Sequence, residues 1–170
     1  MQIRDEVFDD RAAVFALTHA AFAGTDPVAE PAEVDLLRNL FTDPGYDPHY
    51  SLVAVDTPVV IGHVIATWGS IDDSKPILGV GPVAVSPEYQ RNGVGSMLMQ
   101  TLHDRVQAQG LPGIVLLGDP KYYGRFGYEP AAKYGIVPSD PSWGDYFMVR
   151  VFDEATLPAG NFRYAAPFAC

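Results

Sequence analysis

Cysteine is nearly absent from the sequence, since Cys170 is the one cysteine among 170 residues. A single thiol excludes an intrachain disulfide and a metal cage built from several cysteines. Disulfides belong mainly to proteins of oxidising compartments. The cysteine count therefore predicts a reduced compartment, and we expect a cytoplasmic location.

Basic residues are also few, because 11 Lys and Arg stand against 21 Asp and Glu, which gives a formal charge of −10. Such a chain repels phosphate polymers and anionic lipid surfaces, so nucleic acid and membranes are poor partners. An acidic surface favours a cationic partner such as an amine, although acidity also serves solubility alone. The charge therefore constrains the partner only weakly.

Long apolar runs are missing as well. No stretch approaches the roughly 18 uninterrupted apolar residues of a membrane span, and the first six residues lack the basic start of a signal peptide. What the sequence does contain is 48% hydrophobic and 19% charged residues, the balance of a folded protein. The length suits one domain of about 150 residues, and we expect residues 1–170 to form a single domain.

The first half of the chain predicts two helices and three strands. A strand at 1–4 precedes a helix that Asp9 or Asp10 could cap, and Pro31 opens a second helix. The β-rich runs 51–55, 59–68 and 77–85 have short links, which predicts an antiparallel meander. Glycine and proline at 79, 81 and 82 interrupt the third run, which indicates a bulge or the close approach of a ligand.

The second half predicts a parallel crossover. Apolar residues keep helical spacing over 94–109, and Gly110 suits a left-handed C-cap. The apolar run 114–117 then indicates a strand buried on both faces, so strand, helix and strand form a βαβ unit. A short helix at 121–125 and late strands at 146–152 and 161–164 follow. The predicted fold is α/β, a mixed sheet that combines the meander with one parallel crossover.

The segment from Gln90 to Ser96 lies between the third strand of the meander and the helix at 94–109. Unpaired amides at a helix N-terminus bind phosphate, and glycines at 93 and 95 let an anion approach the backbone. The P-loop is excluded because no Gly-Lys-Ser/Thr follows, and the dinucleotide fingerprint is excluded because the third glycine is missing.

The spacing of Gln90, Gly93 and Gly95 instead resembles the Q/R-x-x-G-x-G/A signature of the GNAT N-acetyltransferases. The stretch Tyr122 to Tyr128 is similar to that family's Tyr-x-x-x-Gly-Phe/Tyr segment, and the run 118–128 resembles a bacterial subgroup of predicted N-acetyltransferases. The resemblance covers nearly the whole chain. It implies the GNAT fold, with helices on both faces of the sheet, and acetyl-CoA as co-substrate.

The resemblance also implies which residues hold the cofactor and which act in catalysis. Backbone groups of the third meander strand would bind pantetheine, and the helix N-terminus would bind the pyrophosphate. The cofactor residues so implied are Val83, Ala84, Val85, Gln90, Arg91, Asn92, Gly93, Val94, Gly95 and Ser96. Tyr123 would protonate the departing thiolate, and a backbone amide near Val85 would stabilise the oxyanion.

The general base is left open, because Glu33, His63, Asp119 or a water chain could each serve. The resemblance implies that the helices and the loop in 24–50 shape the acceptor pocket. The acidic residues in this stretch would suit an amine. The stretch also holds His49, but no His pair has zinc-site spacing, so we expect no metal.

The expected function is transfer of an acetyl group from acetyl-CoA to a primary amine of an unidentified small molecule or protein. The alternative is a non-catalytic module that binds or senses acyl-CoA, and a purely structural interaction domain would leave 90–96 unexplained. The apolar content of the late strands 146–152 and 162–164 motivates the further hypothesis of a homodimer.

Overall fold

The computed structural model describes residues 1–26 and 28–169, and Cys170 lies outside the described residues. Within these described residues, nine strands and four α-helices follow the order β1, α1, α2, β2, β3, β4, α3, β5, α4, β6, β7, β8, β9. The strands are β1 Gln2–Asp5, β2 Ser51–Asp56, β3 Val59–Ile71, β4 Lys75–Val85, β5 Gly113–Leu117, β6 Tyr128–Pro130, β7 Ile136–Val137, β8 Phe147–Val151 and β9 Gly160–Arg163. The helices are α1 Arg11–Phe22, α2 Ala32–Leu40, α3 Val94–Ala108 and α4 Pro120–Tyr123.

The sheet has the strand order β1-β2-β3-β4-β5-β8-β6, and β9 pairs with both β3 and β7. Strands β1 to β4 form an antiparallel meander, whereas β4 and β5 are parallel on either side of α3. The predicted mixed sheet with one βαβ crossover is therefore confirmed. Gly110 has a φ of 72° after α3, as predicted for its C-cap.

Side chains on the central strands alternate between two helical layers. Leu52 and Ala54 of β2 pack in one cluster with residues of α3, while Val53 and Val55 pack in another with residues of α1 and α2. Successive strand residues point to opposite faces, and here both faces are covered by helices. This explains why β2 is apolar from Leu52 to Val55 rather than alternating, and it confirms helices on both faces.

Asp10, one of the two residues predicted to cap α1, occupies its N-cap position, but its side chain makes no capping hydrogen bond. Asp10 directly precedes the helix, but its carboxylate accepts hydrogen bonds from the Arg4 guanidinium at 2.7 Å and from the amide of Val7 at 2.9 Å. The burial of Asp10 favours pairing with a cation over capping the helix. The second helix begins directly after Pro31, as predicted.

Strand β4 contains a bulge that bends it away from its neighbour β5. Val83 pairs with Val64 and Val80 pairs with Ala66, so two residues of β4 oppose the single residue Ile65 of β3. A bulge bends its strand and increases the local twist. The parallel pairing of β4 with β5 comprises only residues 78 and 79, so the two strands diverge from the bulge onward. The predicted irregularity of this strand is confirmed.

The late strands are interior elements. β8 lies between β5 and β6, and its residues Phe147, Met148 and Val149 are buried, as are Phe162 and Tyr164. The buried apolar side chains of these strands, which motivated the homodimer hypothesis, therefore pack inside the protein. In the described part of the chain, no helix has both the length and the apolar character needed to cross a membrane.

Candidate active site

The N-terminus of α3 presents unpaired backbone amides. Gly93 occupies the N-cap with a φ of 82°, a conformation that suits glycine, and no side chain caps the helix. The first helical bond runs from the amide of Met97 to the carbonyl of Gly93 at 3.0 Å. The amides of residues 94–96 therefore precede the helical ladder and are available to an anion.

A cleft of about 600 Å³ opens at this helix end, and we call it the helix-end cleft. Eight of the ten predicted cofactor residues line it: Val83, Val85, Gln90, Arg91, Gly93, Val94, Gly95 and Ser96. Six further residues complete its lining: Ala21, Phe22, Tyr89, Tyr122, Tyr123 and Arg125. One surface thus combines the end of β4, the turn and the start of α3.

The backbone of β4 exposes alternate residues to this cleft. The amide of Ser86 donates to the carbonyl of Ile61 on β3 at 2.8 Å. Because backbone groups alternate in direction along a strand, Ala84 also directs its amide and carbonyl toward β3, while Val83 and Val85 direct theirs away from it. The strand edge next to the cleft therefore offers the backbone groups of Val83 and Val85.

Two of the predicted cofactor residues are not among those lining the cleft. Ala84 is buried, and Asn92 donates hydrogen bonds to the carbonyls of Tyr89 at 3.4 Å and Gln90 at 3.2 Å. The side chain of Gln90 in turn donates to the carbonyl of Val85 at 3.0 Å. Asn92 and Gln90 thus hold the shape of the turn through its backbone.

Two arginines line the cleft in a chain whose net charge is −10. Arg91 has a φ of 64°, so it shares the left-handed region with Gly93 two residues later. The guanidinium carbon of Arg125 lies 4.2 Å from the centre of the Tyr122 ring, which holds the charge at the cleft wall. Sequence reasoning missed Arg125 as a site residue, although it lies two residues beyond the predicted Tyr123.

A second cleft of about 450 Å³ lies where β4 diverges from β5, and we call it the aromatic cleft. Its lining comprises Phe22, Glu33, Leu36, Val80, Gly81, Pro82, Val83, Leu117, Tyr123, Trp143, Tyr164 and Phe168. Phe22, Val83 and Tyr123 line both clefts. The two clefts therefore meet at these three residues.

Tyr123 lies at the junction of the two clefts, and its ring packs against Gly118. A Cβ atom built on Gly118 would come within 2.6 Å of Cδ2 of Tyr123 and still closer to Cε2. Burial of the phenol, together with the neighbouring Tyr122, raises the pKa of Tyr123 above its ordinary value. The group therefore stays protonated at neutral pH and can donate a proton.

The three side chains considered as a general base occupy different environments. Glu33 lines the aromatic cleft. His63 is fully buried, with its Nε2 atom 3.0 Å from the hydroxyl of Ser51, and burial lowers its pKa to about 3. The carboxylate of Asp119 accepts a hydrogen bond from the amide of Lys121 at 2.9 Å and caps α4. Of these three residues, only Glu33 lines either the helix-end cleft or the aromatic cleft.

No cluster of three or more His, Cys, Asp or Glu side chains able to hold a metal occurs within residues 1–26 and 28–169. The chemistry available at the two clefts is that of backbone amides, two guanidinium groups, the phenols of four tyrosines, the indole of Trp143, the side-chain amide of Gln90, the hydroxyl of Ser96 and one carboxylate.

Comparison with protein families gives one match over most of the chain. A family model described as an acetyltransferase (GNAT) domain matches residues 2–131. Among curated proteins, the uncharacterized N-acetyltransferase YjhQ of Escherichia coli K12 is 36% identical over 103 residues, or 59% of this chain. That alignment spans 57% of the length of YjhQ. The uncharacterized N-acetyltransferase YhbS of the same strain is 29% identical over 157 residues, which cover 91% of this chain and 90% of YhbS.

Solved structures give the same picture at the level of the fold. The crystal structure of YhbS from Escherichia coli in complex with CoA superposes with a TM-score of 0.86 at 27% identity, covering 99% of this chain and 92% of that one. A GNAT family acetyltransferase from Brucella melitensis in complex with acetyl-CoA superposes with a TM-score of 0.77 at 31% identity, covering 98% and 97%.

Proposed function

Because the chain belongs to the GNAT acetyltransferase family, we propose that it transfers an acetyl group from acetyl-CoA to a primary amine by direct attack. The observation that carries this proposal is the junction of the helix-end and aromatic clefts at Phe22, Val83 and Tyr123. A donor lying in one cleft and an acceptor lying in the other would meet beside Tyr123.

Acetyl-CoA is assigned to the helix-end cleft. The similar structures from Escherichia coli and Brucella melitensis were solved with CoA and acetyl-CoA, which supports this ligand. Amides of Val94, Gly95 and Ser96 would bind the pyrophosphate, because helix N-termini favour anions. Arg91 and Arg125 would add charge to the phosphates.

Pantetheine would run along the edge of β4 that Val83 and Val85 present. Extended ligands bind such an edge as an added strand, through backbone hydrogen bonds. The arm would carry the thioester from the helix end toward the aromatic cleft. An amide in this stretch could then stabilise the oxyanion that forms on the acetyl carbonyl.

The reaction needs a nucleophile, an acid and a proton acceptor. The neutral amine nitrogen attacks the acetyl carbonyl carbon, a C–N bond forms and the C–S bond breaks. The thiolate takes a proton from Tyr123, and the nitrogen loses a proton as the amide forms. The products are the N-acetyl amide and CoA with a free thiol, so atoms and charge balance when one proton returns to the phenol.

Glu33 is the candidate for the proton acceptor, directly or through water. Its position in the aromatic cleft would attract the ammonium form of the acceptor, since an alkylamine has a pKa near about 10.4. His63 is unsuited, because its imidazole is enclosed in the core. Asp119 is engaged with the backbone of α4.

The experiment that tests this function measures thiol release and amide product together. The protein is incubated with acetyl-CoA and a panel of primary amines, the free thiol is quantified with a disulfide reagent, and the products are identified by mass spectrometry. We expect equal amounts of thiol and N-acetyl amide with at least one amine. Tight binding of CoA with no turnover on any amine would instead favour a non-catalytic acyl-CoA sensor.

A further inference from the structure

The aromatic cleft has walls of unusual composition for a site that receives a polar amine. Nine of its twelve lining residues are aliphatic, Phe, Trp, glycine or proline, and two more are the tyrosines Tyr123 and Tyr164. Glu33 is the one charged residue among those described as lining it. Such a site can neutralise a single positive charge, and it offers few partners for a ligand with many hydroxyl or amino groups.

The carboxylate of Glu33 is uncommitted within the described structure. None of the hydrogen bonds or salt bridges among residues 1–26 and 28–169 involves its side chain. Nearby, Glu30 ahead of α2 and Asp35 within it are both paired with Arg38, at 3.3 and 3.0 Å. Of these three carboxylates, Glu33 is the one left free to bind an external cation.

One wall of the cleft is a braced set of aromatic rings. The rings of Tyr164 and Phe168 are stacked with centroids 4.3 Å apart, and Trp143 meets Tyr164 edge-on at 5.9 Å. Tyr164 is itself wedged against the backbone, since a Cβ on Gly79 would lie 2.7 Å from its ring. The wall is therefore preformed, so an aromatic ligand would pack there without first ordering the side chains.

From these contacts we infer that the acceptor is a small primary amine with one cationic group and an aromatic or alicyclic body. The ammonium group would lie at Glu33 and the ring would lie against Trp143, Tyr164 and Phe168. The cleft of about 450 Å³ accommodates a molecule of this size. This inference rests on the proposed function, because it names the class of amine that receives the acetyl group.

The test compares amines that differ in body and charge. The probes are 2-phenylethylamine and 2-cyclohexylethylamine, set against propylamine for the missing ring and spermidine and kanamycin for multiple charges. We expect kcat/KM for the two ring amines to exceed that for propylamine at least about 10-fold, from burial of the ring. Spermidine and kanamycin should be poorer substrates than either ring amine, because extra charges would enter an apolar cleft.

Two variants test separately the contribution of the Glu33 carboxylate and that of the aromatic wall to amine recognition. Glu33→Gln should raise KM for 2-phenylethylamine about 10-fold or more and leave the Kd for acetyl-CoA unchanged, whereas Glu30→Gln should change neither.

Phe168→Ala should reduce the ratio of kcat/KM between 2-phenylethylamine and propylamine. Phe8→Ala is the matched control, since Phe8 is 76% exposed and lines neither cleft. The ratio reports recognition, which a general loss of stability would not alter.

The outcomes keep this inference distinct from the proposed function. Acetylation of spermidine, kanamycin or propylamine with a kcat/KM equal to that of the ring amines would overturn the inference and leave the acetyltransferase intact. Binding of acetyl-CoA without acetylation of either ring amine would also overturn it. Absence of acetyl-CoA binding by calorimetry would overturn the proposed function itself.

Discussion

The hydroxyl of Tyr123 is the side-chain group on which the proposed chemistry most depends. Tyr123→Phe removes the proton donor and keeps the ring at the junction of the clefts. General acids contribute about 10²–10⁴ in rate, and water would replace part of this, so we expect kcat to fall at least about 10-fold. The Kd for acetyl-CoA by calorimetry should stay near the wild-type value.

A control for this variant is Tyr146→Phe, because Tyr146 is 56% exposed and lines neither cleft. Its kcat should equal that of the wild type. If Tyr123→Phe also turned over at the wild-type rate, solvent would be protonating the thiolate, and the role given to Tyr123 would be wrong.

Gly118 positions Tyr123 rather than touching substrate. Gly118→Ala would displace the Tyr123 ring from its present position, because the added Cβ would overlap the ring. We expect kcat to fall about 10-fold and the protein to lose about 1–3 kcal/mol of stability from overpacking. Gly124→Ala is the matched control in the same segment, since nothing lies within 4 Å of a Cβ there.

A double-variant cycle isolates this positioning role. If Gly118 acts through the hydroxyl of Tyr123, Gly118→Ala should lower kcat much less in the Tyr123→Phe background than in the wild type. Equal and additive losses of kcat in both backgrounds would mean that the methyl group disturbs the site by another route.

Sequence reasoning could propose Tyr123 because it belongs to a short motif with fixed spacing. It could not propose Trp143, Tyr164 or Phe168, since these side chains reach the aromatic cleft through long-range packing. It also could not decide among the three base candidates. Burial of His63 and the cap formed by Asp119 are tertiary facts that no local pattern encodes.

The first turn of α3 is the element on which cofactor binding depends. Gly95→Glu would place a negative charge where the pyrophosphate is expected, while a Cβ at Gly95 meets no atom closer than 3.6 Å. We therefore expect a loss of CoA affinity of at least about 100-fold, because an unpaired like charge at an anion site costs several kcal/mol. The folded state should be retained, as measured by circular dichroism.

The control for this charge lies at the other end of the same helix. Gln107→Glu adds an equal charge at an exposed position in the last turn of α3 and should leave CoA affinity unchanged. Retention of wild-type affinity by Gly95→Glu in calorimetry would contradict the assignment of the pyrophosphate to this helix end.

Most elements were predictable, including the four-residue elements β1, α4 and β9, whereas the two shortest strands, β6 and β7, were not. Strands β2 to β5 and helix α3 follow from apolar runs and helical spacing over five or more residues. The strands β6 and β7 have only three and two residues, and Pro130 lies in β6, so neither carries a periodic pattern. Both form because neighbouring strands β8 and β9 supply the pairing.

Two histidines, His63 and His103, are buried in the protein. Burial lowers the pKa of His63 to about 3, and burial together with Arg150 lowers that of His103 to about 4. Because unfolded histidine has a pKa near about 6.5, the unfolded chain binds more protons between about pH 6.5 and these values. The contribution of these two histidines to the free energy of unfolding is therefore complete above about pH 6.5, and it is lost as the pH falls toward 4.

Urea unfolding at pH 7.5 and pH 5 measures this loss, which we expect to be about 2 kcal/mol for each histidine. In His103→Gln the difference in unfolding free energy between the two pH values should shrink by about that amount. An unchanged difference in His103→Gln would mean that His103 is charged in the folded protein.

Thermal unfolding with acetyl-CoA, CoA and NAD shows whether the helix-end cleft binds the CoA moiety of acetyl-CoA. A ligand at 100 times its Kd stabilises the folded state by about 2.7 kcal/mol, which corresponds to about 5–10 °C in Tm for a domain of this size. We expect such a shift with acetyl-CoA and CoA, no shift with NAD, and no shift for Gly95→Glu with any of the three. No shift with either CoA species, or an equal shift with NAD, would contradict this assignment of the cleft.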